Sequence, residues 1–341
     1  MNQAPQKLVL STAPFQKRPV DMPLIMRHVI YSLVPITLAA LYFFGVSALL
    51  IVITCILGCV LTEWFCTRDD SWKDGSAVLT GLLLALTLPP GLALWMAFAG
   101  AVIAILLGKV LFGGLGQNIF NPSLTGRAVL QACFPVPLTS WAEPGGLQDF
   151  FRLRGDLFAF PFTTPQYDAI SAATPLARMK FDSQATELLN LLIGSTSGSL
   201  GETSAVLILA GGAYLSYRGF LNWRVPAGIF IAMYVTASGL HLWNGKFPDG
   251  FFHLLSGGLM LGAVFMATDP VTSPVTPTGS WLYAACIGVL VVLIREFGGL
   301  TEGVMYTILF MNAWTPLIDR YTQPRTYGAI KTETSPGDSD G

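Results

Sequence analysis

The chain has 341 residues, of which 11% are charged and 52% hydrophobic, whereas soluble domains carry roughly 25% charged residues. That balance leaves too little polar surface for a globule in water, and it predicts an all-α polytopic membrane protein. The formal net charge of −1 and the lack of a basic stripe leave no electrostatic footprint for nucleic acid.

Residues 1–24 carry Lys7, Lys17 and Arg18 among prolines, without the apolar core of a signal peptide. They are expected to form a cytoplasmic segment ahead of an uncleaved anchor. Windows of about 20 apolar residues place spans near 25–44, 46–65, 76–90, 92–112 and 118–134, a first five-helix unit over 25–134. A polar connection follows at 135–202. Spans near 203–218, 226–243, 253–268, 281–295 and 303–318 make a second unit over 203–318, and 319–341 is a tail that becomes acidic from Glu333. Several spans are short. Fifteen helical residues, as in 76–90, reach about 22 Å, less than the ~30 Å hydrocarbon core. Such segments must be broken or half-spanning, with their free backbone groups facing protein or a cavity.

The two units echo one another. Ser76 and Pro90 return as Ser256 and Pro270, offset by 180 (256−76, 270−90). Phe112-Gly113-Gly114-Leu115 returns as Phe297-Gly298-Gly299-Leu300, offset by 185 (297−112). With five spans per unit the second enters from the opposite side, so about ten spans are expected as two inverted repeats, a plan shared with many carriers. Arg27, Arg68, Lys73, Arg218, Arg224, Arg320 and Arg325 fall on the side of the N-terminus. By the positive-inside rule both termini are then cytoplasmic, and loop 135–202 lies in the periplasm of a Gram-negative cell, the spans crossing its inner membrane. The five scattered cysteines offer neither a disulfide framework nor a cluster-ligand set. His241 and His253, at the ends of consecutive spans, read as interfacial.

Chemistry concentrates in two places. In the long loop, Ser171-Ala172-Ala173-Thr174-Pro175 puts two hydroxyls around small residues that would let a phosphate approach Thr174, although the same residues also make an ordinary turn. At the broken spans, Asn121-Pro122 and Arg127 begin the fifth span, and Glu302 begins its counterpart. Charges beside broken backbone are expected to serve a ligand or an ion. Asp269, Arg295 and Glu296 read equally as functional groups or as side chains reaching interfacial water. Asp269 could also ligate a cation together with carbonyls freed by the neighbouring prolines.

Ser171-Ala172-Ala173-Thr174 resembles the S-x-A-T site at which FMN is joined to threonine through its phosphate. That linkage occurs in a family comprising the D subunit of the Rnf ion-translocating electron-transport complex and the B subunit of the sodium-translocating NADH:quinone reductase. The likeness continues through Phe112-Gly-Gly-Leu-Gly-Gln-Asn-Ile-Phe-Asn-Pro122, His253-Leu-Leu-Ser-Gly257, Thr268-Asp-Pro-Val271, Arg295-Glu-Phe-Gly-Gly299 and Tyr321-Thr-Gln-Pro-Arg-Thr-Tyr-Gly328, covering roughly residues 20–328. The compact N-terminus resembles the Rnf D subunit more than the quinone-reductase B subunit. The resemblance implies covalent FMN on Thr174 with Ser171 beside it. It also implies a noncovalent riboflavin in the bundle, for which Asn121, Arg127, Asp269, Arg295 and Glu302 are the candidates. It implies partners as well: a periplasmic flavin subunit, further membrane and iron–sulfur subunits of the complex, and membrane lipid. Two other readings remain open on sequence alone, a solute channel or carrier and a structural anchor for partner subunits, because such a scaffold does not by itself fix function.

Overall fold

The computed structural model describes residues 21–67, 74–161, 173–182, 186–202, 204–245, 247–299 and 302–324. Lys7, Lys17, Arg18, Arg68, Lys73, Ser171, Arg325 and the acidic tail, on which sequence expectations rest, lie outside the described residues. Among the described residues all regular structure is helical. The first unit comprises α1 (Met22–Phe44), α2 (Val46–Cys66), α3 (Ser76–Thr87), α4 (Leu94–Gly108) and α5 (Pro122–Cys133). The connection carries the short helices α6 (Pro135–Thr139), α7 (Pro175–Asp182) and α8 (Leu188–Ile193). The second unit comprises α9 (Ala205–Tyr217), α10 (Arg224–Trp243), α11 (Gly250–Leu255), α12 (Leu259–Leu261), a π-helical turn at Gly262–Met266, α13 (Pro277–Phe297) and α14 (Val304–Tyr321).

Met22–Phe44, Val46–Cys66, Leu94–Phe112, Arg224–Trp243 and Pro277–Phe297 are long and apolar enough to cross a membrane. The chain is an all-α polytopic membrane protein. Large apolar side chains such as Leu38, Leu57, Val206 and Val235 stand exposed on its helices, the surface that lipid covers. The shorter spans end for local reasons. α3 has 12 residues, about 18 Å, and stops at Thr87 because Leu88 turns extended ahead of Pro89. α5 starts only at Pro122, since the Asn121 carboxamide caps it by accepting from the Ser123 and Leu124 N–H groups.

The eighth span departs most from expectation. A single helix over 253–268 is replaced by α11, a break at Ser256–Gly258, and α12 running into the π turn. Gly257 adopts φ 69° at the break, a left-handed conformation that glycine takes without a steric penalty. The π turn closes with the Ala267 N–H donating to the Gly262 carbonyl at 2.7 Å.

Packing repeats between the units. α2 packs along α4 as α10 packs along α13, and α3 meets α5 as the π turn meets α14. The units join where α1 lies on α9 and α5 touches α14. Close approach within the first unit relies on small residues: a side chain at Gly126 would run into Ala104 and the Gly100 carbonyl. The connection is bound to the bundle too. Phe150 lays its carbonyl on Gly45 (φ 64°) and accepts the Val46 N–H at 2.9 Å, and buried Arg154 donates to the Phe43 carbonyl at 3.0 Å.

Candidate functional site

Two cavities flank the junction of the units. The larger, about 390 Å³, is bounded by Thr87, Leu124, Arg127, Gln131, Trp141, Thr174, Phe181, Ser199, Gly258 and Glu302. The smaller, about 70 Å³, is bounded by Ser76, Thr80, Lys109, Asn118, Asn121 and Asp269. The π turn separates them, with Gly262 and Met266 facing the first and Val264 and Phe265 the second. Single π turns inside helices recur at functional sites.

Thr174 is 2% exposed and stands immediately before α7. Its Oγ1 accepts the Ala177 N–H at 3.2 Å, and its carbonyl accepts the Arg178 N–H at 2.9 Å. The hydroxyl therefore caps the head of α7, where the helix dipole favours negative charge. Lys180, on the same helix, donates to the carbonyls of Arg295 and Gly298 at 2.6 Å each, pinning α7 to the C-terminal end of α13.

Arg127 reaches Glu302 across the units at 2.8 Å. The Arg127 Nε and Glu302 Oε1 are buried and have no partner among the described residues. Behind the wall, the Ser199 hydroxyl donates to Glu202 Oε1 at 2.7 Å. Glu202 closes the connection just ahead of the sixth span. Burial first, and then the charge of Glu302, push its carboxyl well above the usual range.

Each unit also buries a cation at the end of its fourth span, aimed at the start of its broken third span. Lys109 donates to Glu63 Oε1 and Ser76 Oγ at 2.5 Å each. Arg295 donates to the carbonyls of His253 at 2.6 Å and Ser256 at 3.0 Å. Ser76 and Ser256 are the residues that match in sequence at offset 180 (256−76).

Of the residues named from sequence, Thr174, Arg127 and Glu302 come together on the larger cavity, and Asn121 and Asp269 on the smaller one. Arg295 lines neither; it stabilises the backbone at the break after α11. Asn121 caps α5 and donates to the Met266 carbonyl at 3.3 Å, and Asp269 accepts from its own turn, the Val271 N–H and the Thr272 hydroxyl. His241 is exposed, as an interfacial residue should be, but His253 is not: it is 1% exposed and pairs with Glu296 at 3.1 Å. Among the described residues no three His, Cys, Asp or Glu side chains are placed to hold a metal ion.

Glu63 and Lys109 escaped the sequence reading, although a charge inside an apolar span is itself a signal. Lying 46 residues apart (109−63), each looks like a span-end residue until the fold joins them. Glu202, Ser199 and Lys180 carried no signal, because polar residues are ordinary in a polar connection.

A duplicated all-helical membrane bundle, with broken spans around two cavities and a loop hydroxyl on one of them, defines a class of integral membrane proteins with a built internal site. Within that class the chain belongs to the NQR2, RnfD, RnfE family, whose model matches residues 9–328. It is 38% identical over 334 residues to the D subunit of the proton-translocating ferredoxin:NAD(+) oxidoreductase complex of Clostridium ljungdahlii, covering 94% of this chain and 96% of that protein. The D subunit of the Na(+)-translocating ferredoxin:NAD(+) oxidoreductase complex of Acetobacterium woodii is 38% identical over 332 residues, with 95% and 96% covered. The D subunit of the ion-translocating oxidoreductase complex of Halorhodospira halophila is 35% identical over 345 residues, with 94% and 96% covered. The motif resemblance is thereby borne out along nearly the whole chain.

Proposed function

We propose that this chain is the D subunit of an Rnf-type ion-translocating oxidoreductase complex, not catalytic alone, and that it carries electrons through FMN esterified to Thr174, coupled to Na+ or H+ movement. The observation that carries the reading is the Thr174 hydroxyl at the head of α7, on the wall of a cavity that also presents Arg127. The residues fit the group. A volume of about 390 Å³ lies in the range of small-molecule sites, roughly 300–1,000 Å³. Trp141 and Phe181 offer apolar ring surface, while the dipole at the head of α7 and the Arg127 Nε, which has no partner among the described residues, suit a phosphodiester. When bound, a flavin supplies the capacity to take electrons singly or in pairs; the protein contributes position and electrostatics. Here α7 fixes the attachment point, Lys180 fixes α7, and the Arg127–Glu302 pair sets the charge of the wall.

The noncovalent riboflavin finds no such support. The smaller cavity, about 70 Å³, holds a few water molecules and not a tricyclic ring. Asn121 and Asp269 on its wall are engaged with their own backbone turns, so no flavin is assigned there.

On this reading the complex lies in the bacterial inner membrane with both termini cytoplasmic and the connection 135–202 periplasmic, where a flavin subunit of the complex would meet it. NADH and ferredoxin chemistry belongs to partner subunits, including iron–sulfur ones, since this chain lacks cluster cysteines. The Rnf assignment is preferred to the quinone-reductase B subunit because the named relatives, at 35–38% identity across nearly the whole chain, are D subunits. In-gel fluorescence separates the redox reading from a solute carrier. The denatured wild-type band should fluoresce and Thr174→Val should be dark; a dark wild-type band from a flavinylating host refutes the redox role.

A further inference from the structure

We propose that residues 151–158 of the connection lie in the margin of the bilayer and present Phe151, Leu153 and Phe158 to phospholipid of the leaflet on that side. Two helices fix the depth. α2 has 21 residues, about 31 Å of helix against a hydrocarbon core of ~30 Å. Gly45, the single residue joining α1 to α2, therefore stands at the edge of the hydrocarbon, and tilting α2 only draws it further in. The fourth span, Leu94–Phe112, has 19 residues, about 28 Å, so Leu94 stands at the same edge. The connection is bonded at both points. The Phe150 carbonyl accepts the Val46 N–H, and the Leu157 carbonyl accepts the Leu94 N–H, each at 2.9 Å. Between them the Arg154 N–H donates to the Ser47 hydroxyl at 3.0 Å. Three backbone bonds within eight residues hold the segment down against the span ends.

The side chains sort accordingly. Arg154 and Leu157 are buried, the guanidinium lying over the Phe44 ring at 5.2 Å. Phe151 is 84% exposed, Leu153 48% and Phe158 66%. Facing water, such side chains would forfeit the burial that drives folding; at this depth they enter the boundary between headgroups and acyl chains, where Phe and Leu are at home. They also continue a surface that lipid covers, since Tyr42 on α1 and Leu49 on α2, each about one turn from Gly45, are exposed as well. Arg152, exposed between Phe151 and Leu153, has a stem long enough to carry its charge to the lipid phosphates. The contact bears on the larger cavity. Arg154 donates to the Glu143 carbonyl, two residues beyond Trp141 on the cavity wall, so the anchored segment sets the height of that wall in the membrane. None of this depends on a flavin at Thr174.

The test is photocrosslinking in native membranes holding the assembled complex. The photoreactive p-benzoylphenylalanine replaces Phe151 or, separately, Phe158, and replaces Leu57 on the lipid-facing side of α2 as the reference. After irradiation, mass spectrometry of the chain should find the mass of one phospholipid added at position 151 and at position 158, as at position 57. A crosslink joining either position to another polypeptide would show that a partner subunit covers the segment and overturns the proposal. Labelling at position 57 with no phospholipid added at 151 or 158 would place the segment in water and overturns it equally. Should a substituted chain fail to accumulate, the same group in place of Leu153 is read by the same criteria.

Discussion

Separating Lys109 from Glu63 should cost this fold more than any surface change. The two side chains are 4% and 0% exposed, 2.5 Å apart, with Ser76 as the further partner of the lysine. At an effective dielectric of about 20, unit charges at that distance attract by roughly 7 kcal/mol before desolvation is counted, and most of that gain is offset by taking both ions out of water. Truncating one partner leaves the other charge buried alone, at about 3–5 kcal/mol. Lys109→Met and Glu63→Gln should therefore each destabilise the protein by that amount. The double variant, with no orphaned charge, should lose less than either single one. Unfolding in mixed detergent micelles with increasing denaturing detergent, run as a double-mutant cycle, measures the coupling. Additive losses would refute the picture of a single buried unit closing the start of α3.

Lys180→Met removes two charge-assisted hydrogen bonds, worth about 1.5–3 kcal/mol each, so amide hydrogen exchange in α7 should quicken while α4 stays protected; unchanged exchange would mean that α7 is held by something else. Gly45→Ala meets both φ 64° and the Phe150 carbonyl, and should cost at least ~1–2 kcal/mol, read as a lower unfolding midpoint. Because the folded Glu202 binds its proton more tightly than a free carboxyl near 4.5, the folded state holds more protons than the unfolded one. Its contribution to stability is complete below that range and is lost as pH rises through the raised folded value. Glu202→Gln should remove that fall from a pH series of unfolding midpoints, and a wild-type slope in the variant would refute the assignment.

What the sequence made legible follows from the distance over which each feature acts. The long helices are written in continuous apolar runs that no neighbour needs to complete. The start of α5 is written in Asn121-Pro122, a cap followed by a proline fit for the first helical turn. The break after α11 was not legible: Ser256-Gly257-Gly258 sits among apolar residues, and an Arg295 guanidinium 39 positions away satisfies the Ser256 carbonyl. The larger cavity was half legible. Thr174, Arg127 and Glu302 each stand beside a sequence irregularity, whereas Ser199 and Glu202 gain meaning only when the connection folds back against α3. Lys109 and Glu63 were overlooked for the same reason, each partner being defined by the other.

The central claim is a phosphodiester at one hydroxyl. Peptide mass spectrometry of the segment containing Thr174, taken from the complex purified from its own membranes, tests it directly. A peptide heavier by esterified FMN, with fragment ions placing the added mass on Thr174, is the predicted result. The same peptide recovered entirely at its unmodified mass, or with the flavin on another residue, would contradict the account.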